Sequence, residues 1–357
     1  MYIKSIYISN FKNYENREFE FSGKINCVVG NNAVGKTNLL DAIHYLSNCK
    51  SFVNLIDNLN IRHGEDFFAI TGHFTTESDS NEKLTILVKK GEKKVMKSND
   101  KIYDRLIDHI GKFPTVVISP YDSDIINEAG DIRRKFLDMV ISQFDRNYLE
   151  NLVKYNATVQ QRNKILKDFT IDQLLLEILN DKMVKFGLPI YNSRAIFLSE
   201  FVPIFRKYYH ILSGGKEKVD IVYHSQLNDN DFLTGLNNSL ESDKFLKYST
   251  FGTHKDDLKL FINDLPVKKY ASQGQQKSFT ISMRLAQFEI IKQKKNFTPI
   301  LILDDIFDKL DEQRVSQLIA CVGNEGFGQV FISDVDHSHL KKIIPKDYLA
   351  KFLHLNP

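Results

Sequence analysis

Residues 25–37 read INCVVGNNAVGKT: a short apolar run that stops at Gly30 and opens into G-x-x-x-x-G-K-T. The run has the composition of a buried strand, and TNLLDAIHYLSN after it places Leu39, Ile43 and Leu46 on one helical face. A strand, a glycine-bearing loop and a helix in that order form a phosphate-binding loop. Gly30 and Gly35 let the backbone curl so that its N–H groups converge on an anion, and the helix N-terminus adds favourable partial charge. Lys36 reaches the terminal phosphates and the Thr37 hydroxyl binds Mg²⁺. The expected nucleotide contacts are therefore Gly30, Asn31, Asn32, Ala33, Val34, Gly35, Lys36, Thr37 and Asn38, and the expected cofactors are ATP and Mg²⁺.

A second apolar strand, PILILDD, ends in Asp304 and Asp305. Adjacent carboxylates at the end of a buried strand call for a cation or a partner. Asp304 suits the outer shell of Mg²⁺, and Asp305 is placed to activate water against the terminal phosphate, with Lys36 as the other catalytic group. These parts lie near opposite ends of the chain, whereas small kinases and GTPases keep them in one compact stretch.

Residues 270–279, YASQGQQKSF, precede an apolar-periodic helix and are too plain for acid–base chemistry. They resemble the signature loop of ABC-type ATPases, Ser-x-Gly-Gln at a helix start. The resemblance implies that Ser272, Gln273, Gly274 and Gln275 bind the γ-phosphate held by a partner's loop. DKLD, Asp308 to Asp311, resembles the D-loop of the same superfamily. In VFISDVDHSH, Ser333, Asp334 and His337 are the candidates for a γ-phosphate sensor.

The chain has 357 residues, is 42% hydrophobic and 26% charged, and has net charge +3. It is not a strong polyelectrolyte, so nucleic acid must be met by local basic patches. Three widely spaced cysteines, Cys27, Cys49 and Cys321, read as reduced thiols rather than a disulfide or zinc framework. With an N-terminus that alternates like a strand and no long apolar run, the expectation is a cytoplasmic protein without a membrane partner. Strand patterns fill the first third, including a hairpin turning at Lys90-Gly91. From Asp131 to Phe186 neither glycine nor proline occurs, and helices are expected to about Leu212, bent near Pro189 and Pro203. Strand patterns then return. The expected division is 1–125 with 250–357 as one domain and 126–249 as a helical insertion.

The segments ISNFKNYENREFEF, CKSF, ISPYDSDIINEAGDIRRKFLD, YNATVQQRNKILK, GTHKDDLKLFIND, YASQGQQKS and LILDDIFDKLD, in that order, resemble the RecF family across essentially the whole chain. The chain departs from the family pattern at Val53, Thr253, Lys255 and Asp334. The resemblance implies an α/β fold: an ABC-type, SMC-like P-loop ATPase head (lobe I) with an inserted helical arm (lobe II). It implies ATP-driven homodimerisation on double-stranded DNA near single-strand gaps. It also implies cooperation with RecR and RecO in loading RecA during repair, replication restart and the SOS response. Hydrolysis would be slow, DNA-stimulated and used as a switch; Asp305, one methylene shorter than the usual glutamate, suits that.

Candidate DNA contacts are Lys89, Lys90, Lys93, Lys94 and Lys97 on the hairpin and Arg162, Lys164 and Lys167 in the helical block. Arg133 and Arg134 either couple the arm to the nucleotide site or pair with the head's acids. Other ATPase classes fit less well. Transporter subunits keep the loop and signature closer together, long-armed SMC tethers need long heptad runs or a hook, and an appended nuclease domain has no room after Asp304. A DNA-binding module without catalysis would not need both Lys36 and Asp305.

Overall fold

The computed structural model describes residues 1–76, 80–168, 172–307, 310–323, 325–345 and 348–356. The chain divides into two compact units, one comprising Met1–Ser123, Ile211–Gly214 and Gln273–Pro357, the other Asp124–His210 and Gly215–Ser272.

The first unit contains two sheets. Five parallel strands lie in the order Ala350–His354, Ile25–Val29, Val330–Asp334, Ile300–Leu303, Thr115–Ile118. Four of them are near-continuous apolar runs, as expected for strands covered on both faces. Because all five run the same way, their carboxyl ends share one edge, the usual place for a ligand in an open α/β sheet. A six-stranded antiparallel sheet holds Tyr14–Glu20, Tyr2–Phe11, Phe67–Thr75, Asn81–Lys89, Val95–Ser98 and Lys101–Ile102 in that order. The expected hairpin is present, pairing Leu87 with Val95, and Gly91 supplies the left-handed turn at φ 76°.

Helix Lys36–Asn48 joins the two sheets into one core. Its Leu39, Leu40, Ile43 and Leu46 pack with Ile8, Phe68, Ile70 and Ile86 of the antiparallel sheet and with Val28, Val117, Ile302 and Phe331 of the parallel one. That burial stabilises the helix far beyond its intrinsic propensity and holds its N-terminus at the edge of the parallel sheet. Helix Gln273–Lys295 belongs to the same unit and buries Phe279, Ile281, Leu285, Phe288 and Ile291.

The second unit is built on helices Gly130–Ser142, Arg146–Ile165 and most of Gln173–Ser213, with an antiparallel sheet ordered Leu265–Pro266, Asp257–Ile262, Val219–His224. The 41-residue helix runs on through Pro189 and Pro203. Each proline removes one backbone bond. A buried stripe that includes Met183, Ile190, Phe197, Phe201 and Phe205 compensates. Residues 250–272, placed by sequence with the outer thirds, group with this unit. Asp257–Ile262 pairs along its whole length with Val219–His224, Arg133 Nε donates to Asp257 at 2.6 Å, and Arg194 Nη1 donates to Asp256 at 2.7 Å. Arg134 Nη1 also donates to the Asp256 carbonyl at 2.7 Å, so Arg133 and Arg134 together place "DIRRKFLD" against "KDDL" inside one unit.

Candidate nucleotide site

The loop after strand Ile25–Val29 is shaped by backbone conformations that few residues tolerate. Gly35 sits at φ 109° and Ala33 at φ 68°. A Cβ on Gly30 would meet the Leu355 carbonyl oxygen at 2.6 Å, and one on Gly35 would meet Asn13 Nδ2 at 2.7 Å. Gly30 is thus required by close approach to a backbone carbonyl, and Gly35 by its left-handed φ. Lys36 is 7% exposed, and its ammonium folds back over the loop to donate to the carbonyls of Gly30 at 2.7 Å and Asn31 at 3.1 Å. The charge therefore stands at the mouth of the loop.

Asn13 and Tyr14, which lie in the ISNFKNYENREFEF segment but carry no expected role there, brace this loop from the turn and strand before it. Tyr14 Oη donates to the Gly35 carbonyl at 3.0 Å, Asn13 Nδ2 donates to the Val34 carbonyl at 3.2 Å, and Asn38 Nδ2 donates to Asn13 Oδ1 at 2.7 Å. Burial raises the Tyr14 phenol above its usual range, so it stays a neutral donor. One turn into the helix, buried Asp41 accepts from Lys12 Nζ at 2.5 Å, Ser51 Oγ at 2.6 Å and the Phe52 N–H at 2.8 Å. The "CKSF" segment is thereby fastened to the phosphate-loop helix.

The two acids after Leu303 have opposite environments. Asp304 is 2% exposed, whereas Asp305 is exposed and takes the left-handed conformation at φ 51°. Asp304 Oδ1 accepts from Thr37 Oγ1 at 3.1 Å and from Ser333 Oγ at 2.8 Å. Ser333 Oγ in turn accepts from the Asp305 N–H at 2.9 Å. Desolvation pushes the Asp304 carboxyl up, and neighbouring Asp305 adds to that; the two hydroxyl donors and Lys36 oppose it. A buried carboxylate beside a hydroxyl, at the end of a loop rich in N–H donors, fits a hard cation that keeps several waters and takes few protein ligands.

Of the three sensor candidates, Ser333 is the one that touches the acid pair. Asp334 Oδ2 pairs with His339 Nδ1 at 2.7 Å, and His337 packs edge-on against Phe352 and His354. Gln273 and Gly274 begin helix Gln273–Lys295 directly after Ser272, with Gln275 in the same first turn. Asp308 lies outside the described residues. Asp311 is the N-cap of helix Glu312–Val322, accepting from the Arg314 N–H at 2.8 Å.

Two proposed DNA contacts are corrected by the structure. Arg162 is fully buried, donating to Asn180 Oδ1 at 2.8 Å, Asp243 Oδ2 at 2.6 Å and Ser249 Oγ at 2.8 Å. It is an internal tie between helices, because only a paired guanidinium survives such burial. Lys94 is committed to Asp57 at 2.7 Å and to the Cys49 carbonyl at 2.6 Å, with its ammonium over the Tyr45 ring. Lys89, Lys90, Lys93, Lys164 and Lys167 are exposed, and Lys97 is half-buried. Lys89 pairs with Glu92 at 2.7 Å and Lys90 with Asp66 at 3.1 Å, both in solvent.

A family model described as the RecF/RecN/SMC N terminal domain matches residues 2–352. The DNA replication and repair protein RecF of Flavobacterium johnsoniae is 45% identical over 348 residues, covering 96% of this chain and 97% of that protein. The protein of the same name from Bacteroides thetaiotaomicron is 44% identical, covering 97% and 94%. Among solved structures, the recombination mediator protein RecF-ATP of the RecFOR pathway superposes with TM-score 0.88 at 31% identity, over 94% of this chain and 92% of that one. An Smc head domain with an extended coiled coil from Pyrococcus furiosus shares the fold alone, with TM-score 0.57 at 16% identity over 95% and 91%. By sequence over nearly its full length, and by fold, the chain belongs to the RecF family of SMC-like, ABC-type ATPases.

Proposed function

We propose that the protein is an ATP-dependent DNA-binding recombination mediator and a slow, DNA-stimulated ATPase. One observation carries this reading: Thr37 of the phosphate loop and Asp304 of the distant acid pair are hydrogen-bonded at 3.1 Å in one unit. In that unit helix Gln273–Lys295 also begins with Gln273, Gly274 and Gln275 of the signature stretch. Residues Gly30 to Asn38 bind the nucleotide, through loop N–H groups and the Lys36 ammonium. Thr37 and Asp304 would hold Mg²⁺, which would neutralise phosphate charge. Asp305, exposed beside the buried acid, takes the proton from the attacking water. Lys36 stabilises the charge that develops on the transferred phosphoryl oxygens. Its two carbonyl partners orient it before ATP arrives.

Ser272, Gln273, Gly274 and Gln275 complete the site of a second copy, so ATP acts as a dimerisation switch. The dimer engages double-stranded DNA near gaps and, with RecR and RecO, promotes RecA loading in the cytoplasm. The names of its relatives, a DNA replication and repair protein and an ATP-bound mediator of the RecFOR pathway, support this reading. The proposed lobes follow the expected division, 1–125 with 250–357 and 126–249, except that 124–125 and 250–272 join the second lobe and 211–214 the first.

The test is binding of a gapped duplex with and without Mg-ATP at several salt concentrations. The proposal expects ATP to strengthen binding, and affinity to fall steeply with salt, as phosphate contacts require. Equal affinity with and without ATP would contradict it.

A further inference from the structure

Arg314 lies in the first turn of helix Glu312–Val322, a position that no sequence motif singled out. Its guanidinium is largely buried and joins two separate segments of one unit. Nη1 donates to the Gly274 carbonyl at 2.7 Å and to Ser278 Oγ at 2.6 Å, while Nε pairs with Asp311 Oδ2 at 3.2 Å. Ser278 Oγ also donates to the Gly274 carbonyl, at 2.9 Å. Asp311 Oδ1 meanwhile caps the Arg314 helix. One planar fork thus reads three acceptors, two on the first two turns of helix Gln273–Lys295 and one at the end of the stretch that follows Asp305.

We infer that Arg314 is a positioning residue that sets the signature turn for a second copy's nucleotide and registers it against the segment following the acid pair. The inference rests on the trans reading of Ser272–Gln275 under Proposed function. The physical reason lies in the peptide plane. The Gly274 carbonyl shares a rigid plane with the Gln275 N–H, so fixing one fixes the direction of the other. First-turn N–H groups point out of the helix N-terminus, where an anion is received. Glycine at 274 has no side chain to hinder the guanidinium's approach. A lysine could reach one acceptor as a point charge but could not span all three. A shift of the segment that follows Asp305 would be transmitted from Asp311 to the signature turn through one side chain.

The test uses Arg314→Gln and Arg314→Lys in the full chain. Molar mass is read against protein concentration with Mg-ATP, and a fluorescent ATP analogue reports nucleotide binding. Arg314→Gln should bind nucleotide like the native chain, because the phosphate loop is untouched. It should need roughly tenfold or more protein to dimerise, the scale of losing a charged hydrogen bond at each of two sites. Arg314→Lys should fall between.

The decisive arm is mixing with Lys36→Met. A mixed dimer of Arg314→Gln and Lys36→Met holds one composite site with an intact loop and an intact signature turn. It should regain ATP-dependent association, as a mixture of Ser272→Arg with Lys36→Met should. Merely weakened folding of Arg314→Gln predicts no such rescue. If Arg314→Gln dimerises like the native chain, or is not rescued while Ser272→Arg is, the role of Arg314 is refuted and the trans reading stands. If Ser272→Arg is not rescued either, the trans reading fails and the inference falls with it.

Discussion

Thr37 Oγ1 donates to Asp304 Oδ1 across 3.1 Å, although 267 positions separate the two residues. The parallel sheet explains how. Strands Ile25–Val29 and Ile300–Leu303 flank Val330–Asp334, and all three end at one edge. The same edge brings Ser333 to both acids. A site assembled from the beginning and end of the chain is therefore a consequence of strand order. Its parts also respond differently to mutation.

Asp304 carries a desolvation cost that its ligand offsets. Its folded-state carboxyl is raised, chiefly by burial. The native state therefore binds protons more readily than the unfolded chain, and stability falls as pH rises from the ordinary carboxylate range through the folded value. Above the folded value the cost is fully present. Asp304→Asn should thus raise the unfolding temperature of the nucleotide-free protein by about 2 °C, and the gain should shrink on acidification. The same variant should lose the extra stability conferred by Mg-ATP. Thermal melts over pH, with and without Mg-ATP, check both parts.

Asp305 is exposed and takes no part in burying the neighbouring charge. Asp305→Asn should leave ATP binding within a few-fold of native and reduce turnover by about 100-fold, as loss of a general base does. Steady-state phosphate release with a parallel nucleotide titration distinguishes the two effects. Unchanged turnover would remove Asp305 from the reaction.

Arg162 and Asp243 form an ion pair in which both side chains are fully buried. Removing one partner strands the other charge, at a cost of about 3–5 kcal/mol. Arg162→Met should therefore destabilise the second unit to chemical denaturant. Paired with Asp243→Leu, it should recover much of the loss. If Arg162→Met instead weakened DNA binding with stability unchanged, the assignment of Arg162 as an internal tie would be wrong.

Lys89, Lys90 and Lys93 are the hairpin cations left in solvent. Replacing all three with glutamine should lower affinity for duplex DNA alike across sequences. The slope of log affinity against log salt should become shallower by about 0.9 for each phosphate that is no longer neutralised. Lys94→Gln should act on stability instead, through Asp57 and the Cys49 carbonyl. Fluorescence anisotropy at graded salt reads the slope.

Much of the site was legible because phosphate chemistry constrains short stretches. The glycines, Lys36 and Thr37 are adjacent in sequence, and the LDD run marks its own strand end. Asn13, Tyr14 and Arg314 escaped notice because each acts on backbone carbonyls supplied by another segment, which leaves no side-chain pattern to find. The misjudged cations share a cause. Whether Arg162 or Lys94 faces solvent depends on Asp243, Ser249 and Asp57, distant residues whose approach only the fold decides. The boundary at 249/250 missed for the same kind of reason, since strand Asp257–Ile262 is placed by its pairing with Val219–His224. Pro189 and Pro203 both lie inside one continuous helix, where a long buried stripe offsets the backbone bonds they remove.

The central claim is that ATP joins two copies through the signature turn. Light scattering of the native chain, Lys36→Met and Ser272→Arg, with and without Mg-ATP, tests it most directly. The account predicts that Mg-ATP doubles the molar mass of the native chain alone, while Ser272→Arg still binds nucleotide as a monomer. A native chain that stays monomeric with ATP bound, or a Ser272→Arg variant that dimerises like the native chain, would contradict it.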